Sequence, residues 1–292
     1  MRSTGSGKLF RLTNPRHAGR GTLSTVAATT AVALLGTAAW AAGGTATTGG
    51  SPNQRAAVSV PAAAGTADRC RLPGPYELPH GGEAVDLDPN DFTHRITNPY
   101  WPMRPGTTWR FRETDAQTTQ HVKLTVLSRT RDVRGIKARV IHDVVREDGQ
   151  IIENTFDWYG QDSGGTLWYL GEFTREYEDG VPVNTKGSWE YGVDGAQAGV
   201  LIPANPKPGC RYRQEYLKGV AEDHAAILSI REDVQVRAGR FRDVLTTGDY
   251  VRLEPWVTEH KFFAKGVGPV LAAGLSPSSS REELVRSSLL PR

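Results

Sequence analysis

From residue 107 onward, apolar side chains fall on every second position. In 107–113, Trp109 and Phe111 alternate with Thr108, Arg110 and Arg112; in 121–127, Val122, Leu124 and Val126 alternate with Lys123 and Thr125. A period of two marks a strand with one covered face. Runs of similar spacing occupy 136–145, 150–159, 166–170, 226–236, 241–253 and 256–264. Asp148-Gly149 and Asp179-Gly180 sit between such runs and are hairpin signals, and Ser163-Gly164-Gly165 marks another turn. No stretch carries a convincing long amphipathic helix. The pattern predicts an all-β, mainly antiparallel fold: a single curved sheet, a half-open barrel or a sandwich, bent enough to hide its edges.

The runs repeat. Residues 103–110, ending in Pro105-Gly106-Thr107-Thr108-Trp109-Arg110, match 206–213, ending in Pro208-Gly209-Cys210-Arg211-Tyr212-Arg213. Each copy reaches a glycine after similar distances, Gly135 and Gly239, followed by Val140-Ile141 and Val244-Leu245. An internal duplication predicts that 104–159 and 207–263 are equivalent meanders, with Trp109 matching Tyr212 and Gly135 matching Gly239. The alternative is turn-and-strand grammar common to β meanders.

The N-terminal quarter reads differently. Five basic residues, a charge-free run over 23–42 and the end Ala39-Trp40-Ala41 form a secretory pattern, with the cut placed after Ala41. An uncleaved membrane anchor over 23–42 is the alternative. Residues 42–69 are Ala, Gly, Thr, Ser and Pro with almost nothing large to bury, the composition of a disordered linker. The expected organisation is a signal peptide at 1–41, a linker at 42–69, a β-rich domain at 70–275 and a C-terminal tail at 276–292.

Charge follows from that division. Lys and Arg number 35 against 32 Asp and Glu, but the leader holds five of the bases and no acid, so the remainder stands at 30 against 32. A nearly neutral body with interleaved signs gives no footprint for nucleic acid. Two cysteines, Cys70 and Cys210, in an exported chain read as one disulfide.

Chemical signatures are sparse. There is no Gly-x-Ser-x-Gly elbow, and the seven histidines show no zinc spacing. No catalytic residue, metal site or cofactor is assigned. Glu222-Asp223-His224 alternate across a strand and cannot converge without a bulge, so a solvated turn is the expected reading. Asp157 and Asp162 flank a turn, where local hydrogen bonding is expected over paired-carboxylate chemistry. The string 187–196, with Trp189 and Tyr191 among small residues, reads as a structural crossover or, alternatively, as a cavity mouth.

Asn98-Pro99-Tyr100-Trp101-Pro102, Asp157-Trp158-Tyr159-Gly160-Gln161-Asp162, the 187–196 string and Gly266-Val267-Gly268 resemble a family of exported actinobacterial proteins and lipoproteins, over about residues 94–272. That family brings no established activity; the resemblance implies location and a β fold, with the half-open barrel of lipoprotein carriers as a fold analogy. This chain lacks the cysteine that would tether a lipoprotein member.

These readings converge on an exported, non-enzymatic binding or envelope-associated protein for an apolar or amphipathic, lipid-like ligand. Trp168, Trp189 and Tyr191 are the candidate ligand-binding residues, because indole and phenol rings offer area plus a polar handle. A glycan hydrolase using paired carboxylates and a purely structural envelope protein are the alternatives.

Overall fold

The computed structural model describes residues 70–277 and 279–291. The expected signal peptide, anchor and linker lie outside the described residues. A short 3₁₀ turn, Pro89–Asp91, precedes sixteen strands. They are β1 (Phe92–Thr93), β2 (Thr108–Thr114), β3 (Thr119–Val133), β4 (Ile136–Glu147), β5 (Gln150–Asp162), β6 (Leu167–Glu178), β7 (Val181–Asn184) and β8 (Trp189–Glu190). They continue with β9 (Gln197–Ile202), β10 (Arg211–Arg213), β11 (Glu215–Tyr216), β12 (Asp223–Val236), β13 (Gly239–Val251), β14 (Thr258–Ala264), β15 (Gly268–Ser276) and β16 (Arg281–Ser287).

Every named pairing is antiparallel, and the sheet runs β10-β12-β13-β14-β15-β16-β2-β3-β4-β5-β6-β9-β11. Its two ends, β10 and β11, are consecutive in the chain and separated by Gln214 alone. The sheet is therefore a nearly closed barrel, the barrel among the forms the pattern predicts. Closure removes the open edges that invite aggregation. The 276–292 segment is not a tail. Arg281–Ser287 form β16, wedged between β15 and β2, and Leu284 is fully buried within it. Its period-two pattern of Glu282 and Leu284 inward is short and begins after a Ser-rich stretch, which hid it.

Tight turns set the register. The hairpins at Arg134-Gly135, Asp148-Gly149 and Asp179-Gly180 hold both central residues at positive φ, as the two-residue turn matching strand twist requires. Asp148-Gly149 and Asp179-Gly180 are the hairpins the sequence predicts.

The two repeats align at their starts. The Gly106 N–H donates to the Val126 carbonyl at 2.8 Å and the Val126 N–H to the Thr107 carbonyl at 2.9 Å; Gly209, Ile227 and Cys210 make the same pair of bonds, both at 2.8 Å. Trp109 pairs with Leu124 and Tyr212 with Ala225, each two positions before that anchor, so Trp109 and Tyr212 are equivalent. The matching then slips. Gly135 is the second residue of its hairpin loop, whereas Gly239 is the first strand residue after Arg237-Ala238. Through the ladders, Ile141 opposite Val126 corresponds to Thr247 opposite Ile227, so Val140-Ile141 and Val244-Leu245 are not counterparts. Register shifts in the longer β12–β13 hairpin absorb the difference.

Residues 70–107 cover one end and one flank of the barrel. Cys70 and Cys210 form the expected disulfide, with Cα atoms 5.4 Å apart, fixing the start of this segment beside β10. The Arg213 guanidinium, wholly buried, donates to the carbonyls of Glu83 (2.8 Å), Ala198 (2.6 Å) and Gly81, while its backbone N–H donates to the Pro79 carbonyl. One side chain thus ties the N-terminal segment, β9 and β10 together at the barrel seam.

Candidate functional site

The barrel interior divides into two levels. Toward the end covered by residues 98–104, Trp101, Trp109, Tyr159 and Phe263 pack around one another, with Trp101 ring centroids 6.2, 5.8 and 6.0 Å from the other three. The Trp109 indole donates to the Val267 carbonyl at 2.7 Å, while Trp101 Nε1 and the Tyr159 hydroxyl in this aromatic floor are buried without a hydrogen-bond partner among the described residues. Ring contacts continue up the wall: Tyr159 stacks on Tyr169 at 4.9 Å, and Tyr169 meets the edge of Trp189 at 5.3 Å.

Above that floor the inward positions turn acidic. Strand alternation brings in Glu113 from β2, Asp143 from β4, Glu153 and Asp157 from β5 and Glu172 from β6. From the other half come Glu215 (β11), Asp223 (β12), Asp249 (β13), Glu259 (β14) and Glu282 (β16). Eight of these ten are buried, and Glu153 and Asp223 are partly exposed. They influence one another between strands that are not adjacent: Glu172 of β6 with Asp223 of β12, Glu282 of β16 with Asp143 of β4. Lys261 of β14 stands among them, its Nζ 3.0 Å from Asp249 and 3.4 Å from Glu259.

Ten carboxyls cannot all ionise in so confined a volume. Burial first, then neighbouring acids, pushes Asp143, Glu172, Glu215 and Glu282 well above the ordinary carboxylate range. Burial also raises Glu153, Asp157, Asp223 and Glu259 to about 7, with Lys261 restraining the last two. Burial alone would lower the Lys261 ammonium; Asp249 and Glu259 reverse this and hold it charged.

Hydrogen bonding at the centre agrees. The Tyr169 hydroxyl lies 2.7 Å from Asp157 Oδ1 and 2.9 Å from Glu172 Oε2. A phenol has one hydrogen, so it serves one acid while a protonated carboxyl donates back to it. The Trp189 indole N–H donates to Glu215 Oε2 at 2.5 Å. Neither oxygen of Asp143 or of Glu282 has a hydrogen-bond partner among the described residues, although both side chains are about 1% exposed. Buried polar atoms in native proteins are nearly always paired, and exceptions collect at sites that serve something else.

This acidic level of the barrel interior, the chamber, lies toward the end bearing the β2–β3, β4–β5, β6–β7, β11–β12, β13–β14 and β15–β16 connections. Of nine exposed large apolar side chains among the described residues, six gather there: Val181, Val183, Val220, Leu253, Trp256 and Leu275. An acidic interior is thus ringed by an apolar rim.

The sequence-derived candidates separate. Trp189 reaches the chamber wall. Trp168 points to the outer side of β6, where Tyr76 and Phe92 cover it edge-on at 5.6 and 6.3 Å and its indole donates to Asp162 at 2.9 Å. Tyr191 donates to the Val85 carbonyl at 2.8 Å, with the Arg134 guanidinium over its ring. Both therefore sit beneath the N-terminal segment and away from the chamber. The 187–196 string is the expected connection, joining β7 to β9 through β8.

Asp157 and Asp162 do not converge. No turn lies between them, since both stand in β5: Asp162 ends the strand and accepts from the Thr166 N–H of the turn that follows at 2.8 Å, whereas Asp157 faces the interior. Glu222, Asp223 and His224 are not the solvated turn expected: β12 already begins at Asp223, whose carboxyl faces the chamber, while His224, on the other face, is buried, stacks on Tyr250 and contacts the His80 carbonyl. The remaining chamber acids went unseen. Each is a lone acid in an alternating strand, and only the barrel's closure brings them together; the one signal was that Glu113, Asp143, Asp157 and Glu259 fall on the same parity as apolar neighbours.

No protein-family model matches the chain, and no curated protein matches it. Among solved structures it is similar to a candidate lipoprotein from Parabacteroides distasonis, at 12% identity and a TM-score of 0.37, over 65% of this chain and 99% of that one.

Proposed function

We propose that the protein is an exported, non-enzymatic binding protein whose acidic chamber takes an amphipathic organic cation. The carrying observation is the ratio of ten carboxyls to one ammonium converging inside a barrel, beside the rings of Tyr169 and Trp189. Aromatic faces next to carboxylates suit a quaternary or primary ammonium with attached apolar surface. The apolar rim supports entry of such a molecule. An anionic lipid fits poorly, since its headgroup would add charge of the sign already in excess. The disulfide supports an oxidising, extracytoplasmic setting.

Calorimetric titration at pH 8 with dodecyltrimethylammonium and, separately, with laurate tests this below the micelle threshold of each. The cation should bind and the fatty acid should not. Equal binding of both, or of laurate alone, sinks the cationic reading.

A second reading has its own observation. Asp157 and Glu172 share one hydroxyl, a closeness compatible with the separation of about 5–5.5 Å used by retaining glycosidases. Hydrolysis of chromogenic glycosides that disappears in both Asp157→Asn and Glu172→Gln would favour it over simple binding.

A further inference from the structure

Over β16, β2, β3 and β4 the barrel's outer face carries a cluster of basic side chains. On it, Arg286, Arg110 and Lys123 are successive register partners across β16, β2 and β3. Two residues along, Arg112, His121 and Arg146 form the next row across β2, β3 and β4. Neighbouring strands lie about 4.8 Å apart and alternate residues about 7 Å, so five guanidinium and ammonium groups and one imidazole share a small grid. Like charges placed directly opposite in a sheet are destabilising.

One acid adjoins them: Glu283 of β16 is the register partner of Arg112. Arg110, Arg112, Lys123, Arg146 and Arg286 form no ion pair among the described residues, and Glu283 is held by Arg237 at 2.8 Å and Arg281 at 3.7 Å. The cations bound a concave groove of about 550 Å³, lined by Arg110, Arg112, His121, Lys123, Arg146 and Arg237 among others, with no acid in the lining.

We infer that this groove binds a linear polymer bearing phosphate or sulfate groups. The ordered rows match repeated anions better than a single one. A concave floor is ill shaped for a flat bilayer, and of the exposed large apolar side chains among the described residues only Val285 lines the groove. No Trp or Tyr lines the groove to stack bases, which separates it from single-stranded nucleic acid platforms.

The test uses the full folded chain with inorganic polyphosphate, dextran sulfate and phosphatidylglycerol vesicles at about 50 mM salt and again at about 200 mM. Polymer binding should weaken steeply with salt, and Arg110→Gln with Lys123→Gln should lower it at least about tenfold. The same double substitution should keep or raise the melting temperature, because it removes opposed like charges; a purely structural role predicts a lower one. Polyphosphate alone binding identifies phosphate as the recognised group, and binding of both polymers extends it to sulfate. Absence of polymer binding at low salt, binding indifferent to the double substitution, or retention on vesicles alone overturns the inference. The chamber's cation titration is independent of this result.

Discussion

Glu282 and Glu113 face each other across the β16–β2 ladder, 1% and 5% exposed, both turned into the barrel. Opposed like charges are avoided in ordinary sheets. Here the arrangement persists because burial and the Glu113 carboxyl hold the Glu282 proton on well above the usual range. The interior is thus a store of protons as much as of charge.

Stability should fall as pH rises. Glu153, Asp157, Asp223 and Glu259 ionise near 7 when folded, above the ordinary carboxylate range near 4. The folded state then holds protons that the unfolded chain releases, so their contribution is complete below about pH 4 and lost as pH climbs through 7. Melting temperatures should fall steadily from pH 5 to pH 8, each kcal/mol costing about 2–4 °C in a body of this size. A melting temperature that rises between pH 5 and 8 contradicts the buried-acid picture.

Ligand affinity should run the other way. A bound cation favours ionised carboxyls, so dodecyltrimethylammonium should bind more tightly at pH 8 than at pH 5, with proton release detectable in buffers of different ionisation enthalpy. Affinity that is flat with pH would place the cation elsewhere.

Lys261 is the counterweight to Asp249 and Glu259. Lys261→Met removes the ammonium and leaves two buried acids to each other, a loss of about 3 kcal/mol at pH 8. At pH 5 the acids can take protons, and the loss should shrink. Urea midpoints at the two values provide the comparison.

The two tryptophans should behave differently. Trp168→Ala, beneath Tyr76 and Phe92, should cost about 3–5 kcal/mol and leave the ligand affinity of the surviving fold unchanged. Trp189→Phe keeps the ring but removes the donor to Glu215, a loss of about 1–3 kcal/mol that should also alter the cation titration. Differential scanning fluorimetry with calorimetric titration separates the two cases; equal effects on binding would show that Trp189 has no special place.

Gly199 guards the seam. A Cβ there would meet the Gln214 carbonyl oxygen at 2.2 Å and its carbon at 2.3 Å, backbone that has no room to shift. Gly199→Ala should destabilise by at least about 2 kcal/mol, whereas at Gly248 the added methyl meets only the Leu228 side chain at 3.1 Å and should cost less. Thermal melts of the pair check the ordering.

Local pattern carried most of the fold. Alternation over Trp109, Phe111 and Val122, Leu124, Val126 placed strands correctly, and Asp-Gly pairs placed hairpins, because both depend on a few adjacent residues. Closure was not legible: the pairing of Arg281 with Thr114 joins distant segments through backbone atoms that leave no trace in composition. Of the candidate site, the sequence singled out Trp189, Asp157 and Asp223, but nothing in it linked them. An acid such as Asp143 or Glu282 inside an alternating strand reads as an ordinary polar interruption until the sheet curls and reveals that its neighbours are acids too.

β16 also sets a schedule. Thr114 and Arg281 stand 167 residues apart in sequence yet side by side in the ladder. A chain emerging N-terminus first presents β2 long before the strand that completes it exists. Until Arg281–Ser287 arrives, β2 can pair with β3 alone, and its other edge must wait in the open. Non-local pairings of this kind are the slow steps of β folding. The barrel can therefore finish only after Ser287 has emerged, so a chain cut before Arg281 should behave as an arrested intermediate and not as a slightly shortened native protein.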